Sequence, residues 1–187
     1  MPATTPTALV IVFDGIEEIE ALTPVDILRR AEIKVTVASV NGLPTVTGRN
    51  QITFAADTSI TRVAEDSFDL VILPGGPGVL ELLENQAVSH ILVAQDKAQK
   101  ELAAICAAPK VLANHGILNS RKATSHSSVR DALPRPSDDP VVIDSHITTS
   151  QGLGTAVDFS LTLVKKLKGE ALAQKIAESI HHSSRIF

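Results

Sequence analysis

Apolar runs and polar breaks alternate along the chain with two different periods. Ala8-Leu9-Val10-Ile11-Val12-Phe13 is a continuous apolar run that stops at Asp14-Gly15, the pattern of a strand buried on both faces. From Glu17 to Ala31 the apolar positions Ile19, Leu22, Ile27 and Leu28 fall at roughly helical spacing, with acids at the start and Arg29-Arg30 at the end. That charge order complements a helix dipole. Pro24 inside the segment predicts a kink or an early break. Lys34 to Ser39 reads as a second strand, so strand, helix and strand follow within about 30 residues as a βαβ unit. Residues 43–55, with Pro44, Gly48 and alternating Val46, Ile52 and Phe54, predict a hairpin excursion.

Leu70-Val71-Ile72-Leu73 is a further buried strand, ended by Pro74-Gly75-Gly76-Pro77-Gly78. Helical patterns follow over 79–85 and 88–100. Leu102-Ala103-Ala104-Ile105 is the next strand, and Cys106 comes directly after it. A helix is expected from Ala107 to His115, with Pro109 tolerated in its first turn. Short strands are expected near 122–125, 141–144 and 147–149, and closing helices over Thr155 to Leu167 and Glu170 to Ile180. This alternation predicts an α/β fold with a mostly parallel sheet and helices on both faces. Residues 1–7 read as a disordered lead and 8–187 as one domain.

Composition narrows the function classes. Trp and Tyr are absent and only five Phe occur, so the core must be aliphatic and base stacking has almost nothing to work with. A net charge of −4 argues against a surface that tracks phosphates, so no nucleic-acid partner is expected. No apolar run approaches the roughly 20 residues that span a bilayer, and the opening residues lack the basic and apolar regions of a secretory signal. The single cysteine excludes an internal disulfide, which suits a reducing cytoplasm. No His pair has metal-ligand spacing and one cysteine cannot build a zinc site, so no metal is expected.

Three segments fall at strand carboxyl ends, where parallel sheets bind ligands: Asp14 to Glu20, Pro74 to Gly78, and Cys106-Ala107-Ala108-Pro109. A lone cysteine is ordinarily a small buried hydrophobe. Between a strand end and a helix start it meets the positive end of the helix dipole instead, and a lowered pKa is expected. The turn aims the side chain out of the sheet as a nucleophile elbow does. The amides of Ala107 and Gly76 are then candidate oxyanion donors, with Gly75 beside them as a further oxyanion or substrate-binding candidate. The glycine loop does not match a phosphate-binding G-x-G-x-x-G, because Glu81 occupies the last position. Glu17, Glu18 and Glu20 complement the helix dipole, and any one of them could instead face Cys106 as a general acid and base. Among six histidines, His126 is the one that topology places near this edge. Gln151 to Thr155 is a turn and cap that could border the pocket, and His181-His182 read as a solvated helix end.

Ala104-Ile105-Cys106-Ala107-Ala108-Pro109, with Leu73-Pro74-Gly75-Gly76 upstream, resembles the ThiJ/PfpI superfamily. Gly15-Ile16-Glu17-Glu18-Ile19-Glu20, Pro24-Val25-Asp26 and Thr149 to Phe159 are similar to the branch that holds the parkinsonism-associated deglycase and its bacterial counterparts. The resemblance runs from about Ala8 to the final helix. It implies a flavodoxin-like three-layer sandwich and a homodimer. It also implies Cys106 as nucleophile, Glu20 as its paired acid, Gly76 and Ala107 as oxyanion donors, and His126 as the neighbouring histidine. The branch is associated with cofactor-free conversion of methylglyoxal to lactate, deglycation of early glyoxal adducts, and protection against oxidative stress. A cysteine-based redox sensor or stress chaperone is the rival reading. Ser127 stands where the human member of that branch has proline after the histidine, and Leu153 replaces the proline usual between the two glycines of the late loop. Ala107 replaces the histidine that follows the cysteine in the peptidase branch, which disfavours proteolysis.

Overall fold

The structure, a computed structural model, describes residues 5–183. A seven-stranded sheet forms from β1 (Thr7–Val12), β2 (Lys34–Ser39), β5 (Thr58–Ser59), β6 (Leu70–Leu73), β7 (Glu101–Ile105), β8 (Val141–Asp144) and β9 (Ile147–Ser150), in the order β5-β2-β1-β6-β7-β9-β8. Every pairing is parallel except β8 with β9. Apart from the partly exposed Thr7 and Glu101 that open β1 and β7, the central strands β1, β6 and β7 are apolar on both faces and buried, whereas edge strand β8 mixes buried and exposed positions, as a sheet covered on two sides requires. β3 (Thr45–Thr47) and β4 (Thr53–Ala55) make the expected separate hairpin.

From β1 the chain crosses to β2 on one side, while β6 and β7 lie on the other. Right-handed crossovers then put the connecting helices on opposite faces. α1 (Glu18–Arg30), α4 (Ala156–Lys168) and α5 (Glu170–Ser179) pack together, and α2 (Gln86–Lys97) and α3 (Pro109–Asn114) pack against β7. This is the α/β sandwich expected. The core is aliphatic around Leu9, Ile11, Ile72, Leu73, Leu102 and Ile105, with Phe159 as its largest fully buried side chain.

Four details differ from the hydrophobic pattern. α1 runs through Pro24 without a break; the proline simply has no N–H to give to the carbonyl of Glu20. Pro77–Glu84 is a 3₁₀ turn rather than an α-helix, and its buried Val79 and Leu82 are three apart, matching three residues per turn. No strand forms at 122–125: the Thr124 amide donates to Thr149 Oγ1 at 2.9 Å and its hydroxyl to the Ser137 carbonyl at 2.9 Å, leaving one isolated bridge from Ala123 to Pro136. Thr7, expected in the lead, opens β1, with its amide 2.8 Å from Asp69 Oδ2; residues 1–4 of that lead lie outside the described residues.

Candidate active site

The carboxyl ends of β1, β6, β7 and β9, adjacent in the sheet, deliver four segments to one edge. The reversal of strand order between β1 and β6 is where a doubly wound sheet opens a crevice, and Cys106 sits beside it. Cys106 has φ +66°, a left-handed conformation that costs a non-glycine residue of order 1–3 kcal/mol. Two hydrogen bonds hold it there: its N–H donates to the Ser150 carbonyl at 3.0 Å, and its carbonyl accepts the His126 N–H at 2.8 Å. The elbow expected from the strand-to-helix position is therefore present, and partner strand β9 enforces it.

The three glutamates have three different tasks. Glu18 is buried and turns to the hairpin, accepting the Asn50 amide at 2.8 Å and the Asn50 side chain at 2.9 Å. Burial opposes its charge, but these hydrogen bonds outweigh it and hold its pKa below the ordinary value. Glu17 reaches the rim, where Arg49 approaches at 3.6 Å. Glu20, 1% exposed, hydrogen-bonds the Cys106 sulfur. The choice the sequence leaves among the three falls on Glu20, because the Glu17 N–H donates to the Gly75 carbonyl at 3.0 Å and so pins the start of α1 to the glycine loop.

That loop is glycine for steric reasons. A Cβ on Gly75 would lie 2.5 Å from Cys106 Cβ and 2.7 Å from Glu20 Oε2. Gly76 has φ +108°, and its Cβ would lie 2.4 Å from the Glu17 nitrogen. The Gly76 and Ala107 amides both act on the sulfur and favour its anion, as oxyanion donors placed beside it would. Gly75 has a different role from the one expected: its amide donates to Glu20 Oε2 at 3.1 Å and is spent on the carboxyl.

The electrostatics correct one expectation. Burial first, then the charge of Glu20 and the hydrogen bond to it, push the Cys106 thiol up to about 12; the Gly76 and Ala107 amides only partly offset this. The helix dipole is weak here because α3 has six residues and starts after Ala108. Burial likewise pushes Glu20 up to about 7, opposed by the Cys106 hydrogen bond and by the Gly75 and Leu153 amides, and reinforced by the charge of Glu17. Between those two values the pair holds one shared proton. Glu20 is thus a base tuned to neutral pH, able to take the thiol proton as sulfur attacks.

Over the sulfur lies a cleft of about 220 Å³ lined by Arg49, Gly76, Cys106, Ala107, His126 and Ser128 among others. A larger groove of about 430 Å³ between Arg30, Lys168, Leu172 and Lys175 includes neither Cys106 nor Glu20 in its lining. Gln151 to Thr155 does border the site: a side chain at Gly152 would begin 3.5 Å from Glu20 Oε1 and 4.0 Å from the sulfur. Thr155 Oγ1 fixes this loop through Ser150 Oγ at 2.6 Å and the Gly152 carbonyl at 2.8 Å. His182 is not simply solvated; its Nε2 lies 3.0 Å from Asp158 Oδ1. Among the described residues no group of three His, Cys, Asp or Glu side chains is placed to hold a metal, and no helix is long and apolar enough to cross a membrane. Arg49, Ser128 and the Leu153 amide escaped the reading of the sequence: two are ordinary surface residue types, and the third is a backbone group with no signature of its own.

The profile of the DJ-1/PfpI family matches residues 6–166. The chain belongs to the DJ-1/PfpI family. It is 40% identical over 179 residues to Protein dj-1beta of Drosophila melanogaster, covering 93% of this chain and 96% of the relative. The crystal structure of that fly protein superposes with a TM-score of 0.93 at 39% identity, over 96% of this chain and 100% of the other. Toxoplasma gondii DJ-1, in a structure described as oxidized, also gives 0.93, at 32% identity over 96% and 100% of the two chains. The glutathione-independent glyoxalase DJR-1.2 of Caenorhabditis elegans is 36% identical over 157 residues, 82% of this chain and 83% of the relative. The DJ-1/PfpI family thus includes glyoxalases, and its flavodoxin-like fold is the one seen here.

Proposed function

We propose that this DJ-1/PfpI protein converts α-oxoaldehydes such as methylglyoxal into 2-hydroxy acids without a cofactor. The observation that carries this reading is the Cys106–Glu20 pair: a strained nucleophile hydrogen-bonded to a carboxyl whose pKa is about 7. The relative named as a glutathione-independent glyoxalase supports the reaction class.

The steps balance as follows. Sulfur attacks the aldehyde carbon as its proton passes to the Glu20 carboxylate, forming a hemithioacetal whose oxygen faces the Gly76 and Ala107 amides. Glu20, after returning its proton to that oxygen, removes the hydrogen from the former aldehyde carbon. The resulting enediol is reprotonated at the adjacent carbon, which leaves a 2-hydroxy thioester. Water cleaves the thioester, releases the hydroxy acid and restores the thiol. Clearance of early adducts follows by mass action, because such adducts dissociate spontaneously and the enzyme drains the free aldehyde.

The redox-sensor reading uses the same sulfur and gains from its ionisation, which burial and the charge of Glu20 oppose. The test of the enzymatic reading is a methylglyoxal-to-lactate assay. Wild type turns over, and Cys106→Ser loses about a thousandfold or more in kcat while its circular dichroism is unchanged. Equal turnover in the two proteins would sink the proposal. The same reading includes a homodimer, for which α1 leaves Ile19 and Leu22 exposed at 47% and 37%.

A further inference from the structure

His126 ends the segment that follows α3 and caps the 3₁₀ turn Ser127–Ala132. Its Nδ1 accepts the Ser128 N–H at 3.2 Å and lies 2.8 Å from Ser128 Oγ. A backbone N–H can only donate, so Nδ1 must present its lone pair. In the neutral imidazole the proton then belongs to Nε2, and the Ser128 hydroxyl, the nearer of the two groups, is the stronger of two donors that share the single lone pair of Nδ1. The Nδ1 edge is occupied by the turn, which leaves the Nε2 edge for the cleft that the ring lines together with Cys106 and Ser128. The ring is anchored to the nucleophile as well, through the His126 N–H on the Cys106 carbonyl at 2.8 Å.

We infer that Ser128 is a positioning residue that holds His126 as an Nε2–H hydrogen-bond donor. In that form His126 cannot accept a proton from substrate, and base chemistry falls to Glu20 alone. Building on the α-oxoaldehyde reading, a dicarbonyl attached through Cys106 has two oxygens to place. The first faces the Gly76 and Ala107 amides, and the second meets the Nε2–H of His126. The donor stabilises the charge that develops on this second oxygen as the enediol forms. The site therefore selects two adjacent oxygens over one, and Ser128 acts in that selection without touching the reacting carbon.

Nitrogen-15 NMR of the imidazoles tests the tautomer directly, with His126 assigned by its loss in His126→Gln. Wild type should show a single Nε2–H form for His126. Ser128→Ala removes the hydroxyl 2.8 Å from Nδ1 and leaves only the backbone N–H at 3.2 Å, so it should add a population of the Nδ1–H form and lower kcat for methylglyoxal roughly five- to tenfold, the effect of losing one orienting hydrogen bond, with KM little changed. Ser128→Thr, which keeps the hydroxyl, should restore both. An Nδ1–H tautomer in wild type, or a Ser128→Ala protein with an unchanged tautomer and unchanged kcat, would overturn the inference. Should wild type turn over no α-oxoaldehyde, the proposed function falls, while the tautomer pattern of the three proteins still decides the role of Ser128.

Discussion

At Glu20, burial and hydrogen bonding oppose each other, and the balance shows in pH dependence. Its folded pKa of about 7 stands above the ordinary 4.5, so folding takes up a proton between those values. Its contribution to stability is complete below the unfolded pKa and is lost as pH rises through the folded one. Glu20→Gln removes a carboxyl that is charged and buried above pH 7, so the variant should melt at higher temperature than wild type at pH 8. Near pH 4, below both pKa values, that advantage should vanish; differential scanning fluorimetry across this range reads it. The same variant should lose turnover, since an amide cannot act as a base. Sequence position alone identified Cys106 as the residue to watch, because a lone thiol after a buried strand and before a proline-started helix stands out. It could not choose Glu20 over Glu17 and Glu18, nor foresee that burial would raise the thiol pKa, because both depend on the groups that surround each atom in space.

Loops adjust the reactivity that burial sets in the pair. The segment after β9 brings the Leu153 amide to Glu20, where it favours the carboxylate. A proline at position 153 would have no N–H to donate. The backbone tolerates proline there, at the first position of the turn Leu153–Thr155. Leu153→Pro should therefore move the rising limb of the pH profile of kcat/KM, centred on about 7 in wild type, roughly half a unit to one unit higher. A profile that stays in place would mean the amide does not tune the base. Among the elements, the strands were legible because continuous Val, Ile and Leu runs bounded by glycine and proline fit little else. The strand expected at 122–125 failed because threonine hydroxyls satisfy the backbone groups that a ladder would use. The turn Pro77–Glu84 failed as an α-helix because eight residues do not separate a repeat of 3.0 from one of 3.6.

Across the whole molecule, three of the seven exposed large apolar side chains among the described residues lie on α1 or on the loop tied to it, and the others at Leu43, Leu80, Ile143 and Leu153. Ile19 and Leu22 on α1, and Ile52 beside the hairpin that Glu18 ties to α1, are 47%, 37% and 51% exposed. A second copy of the chain covering this face would remove them from water. Sedimentation should then give twice the 19.8 kDa chain mass, and Ile19→Asp should shift the population to monomer; a wild-type monomer at micromolar concentration would end the dimer proposal. The alternation of buried strands with amphipathic helices was sufficient to determine an α/β domain with its ligand edge at the strand carboxyl ends, since apolar periodicity is a local property that burial enforces residue by residue. It also fixed which thiol would stand at that edge. Which acid meets the thiol, which amides face it, which edge of His126 is open, and how far the two pKa values rise were decided only by tertiary structure. Those properties come from groups as far apart in the chain as Glu20, Gly75, Cys106 and Leu153, and electrostatic energy depends on their separation in space, which the order of residues does not record.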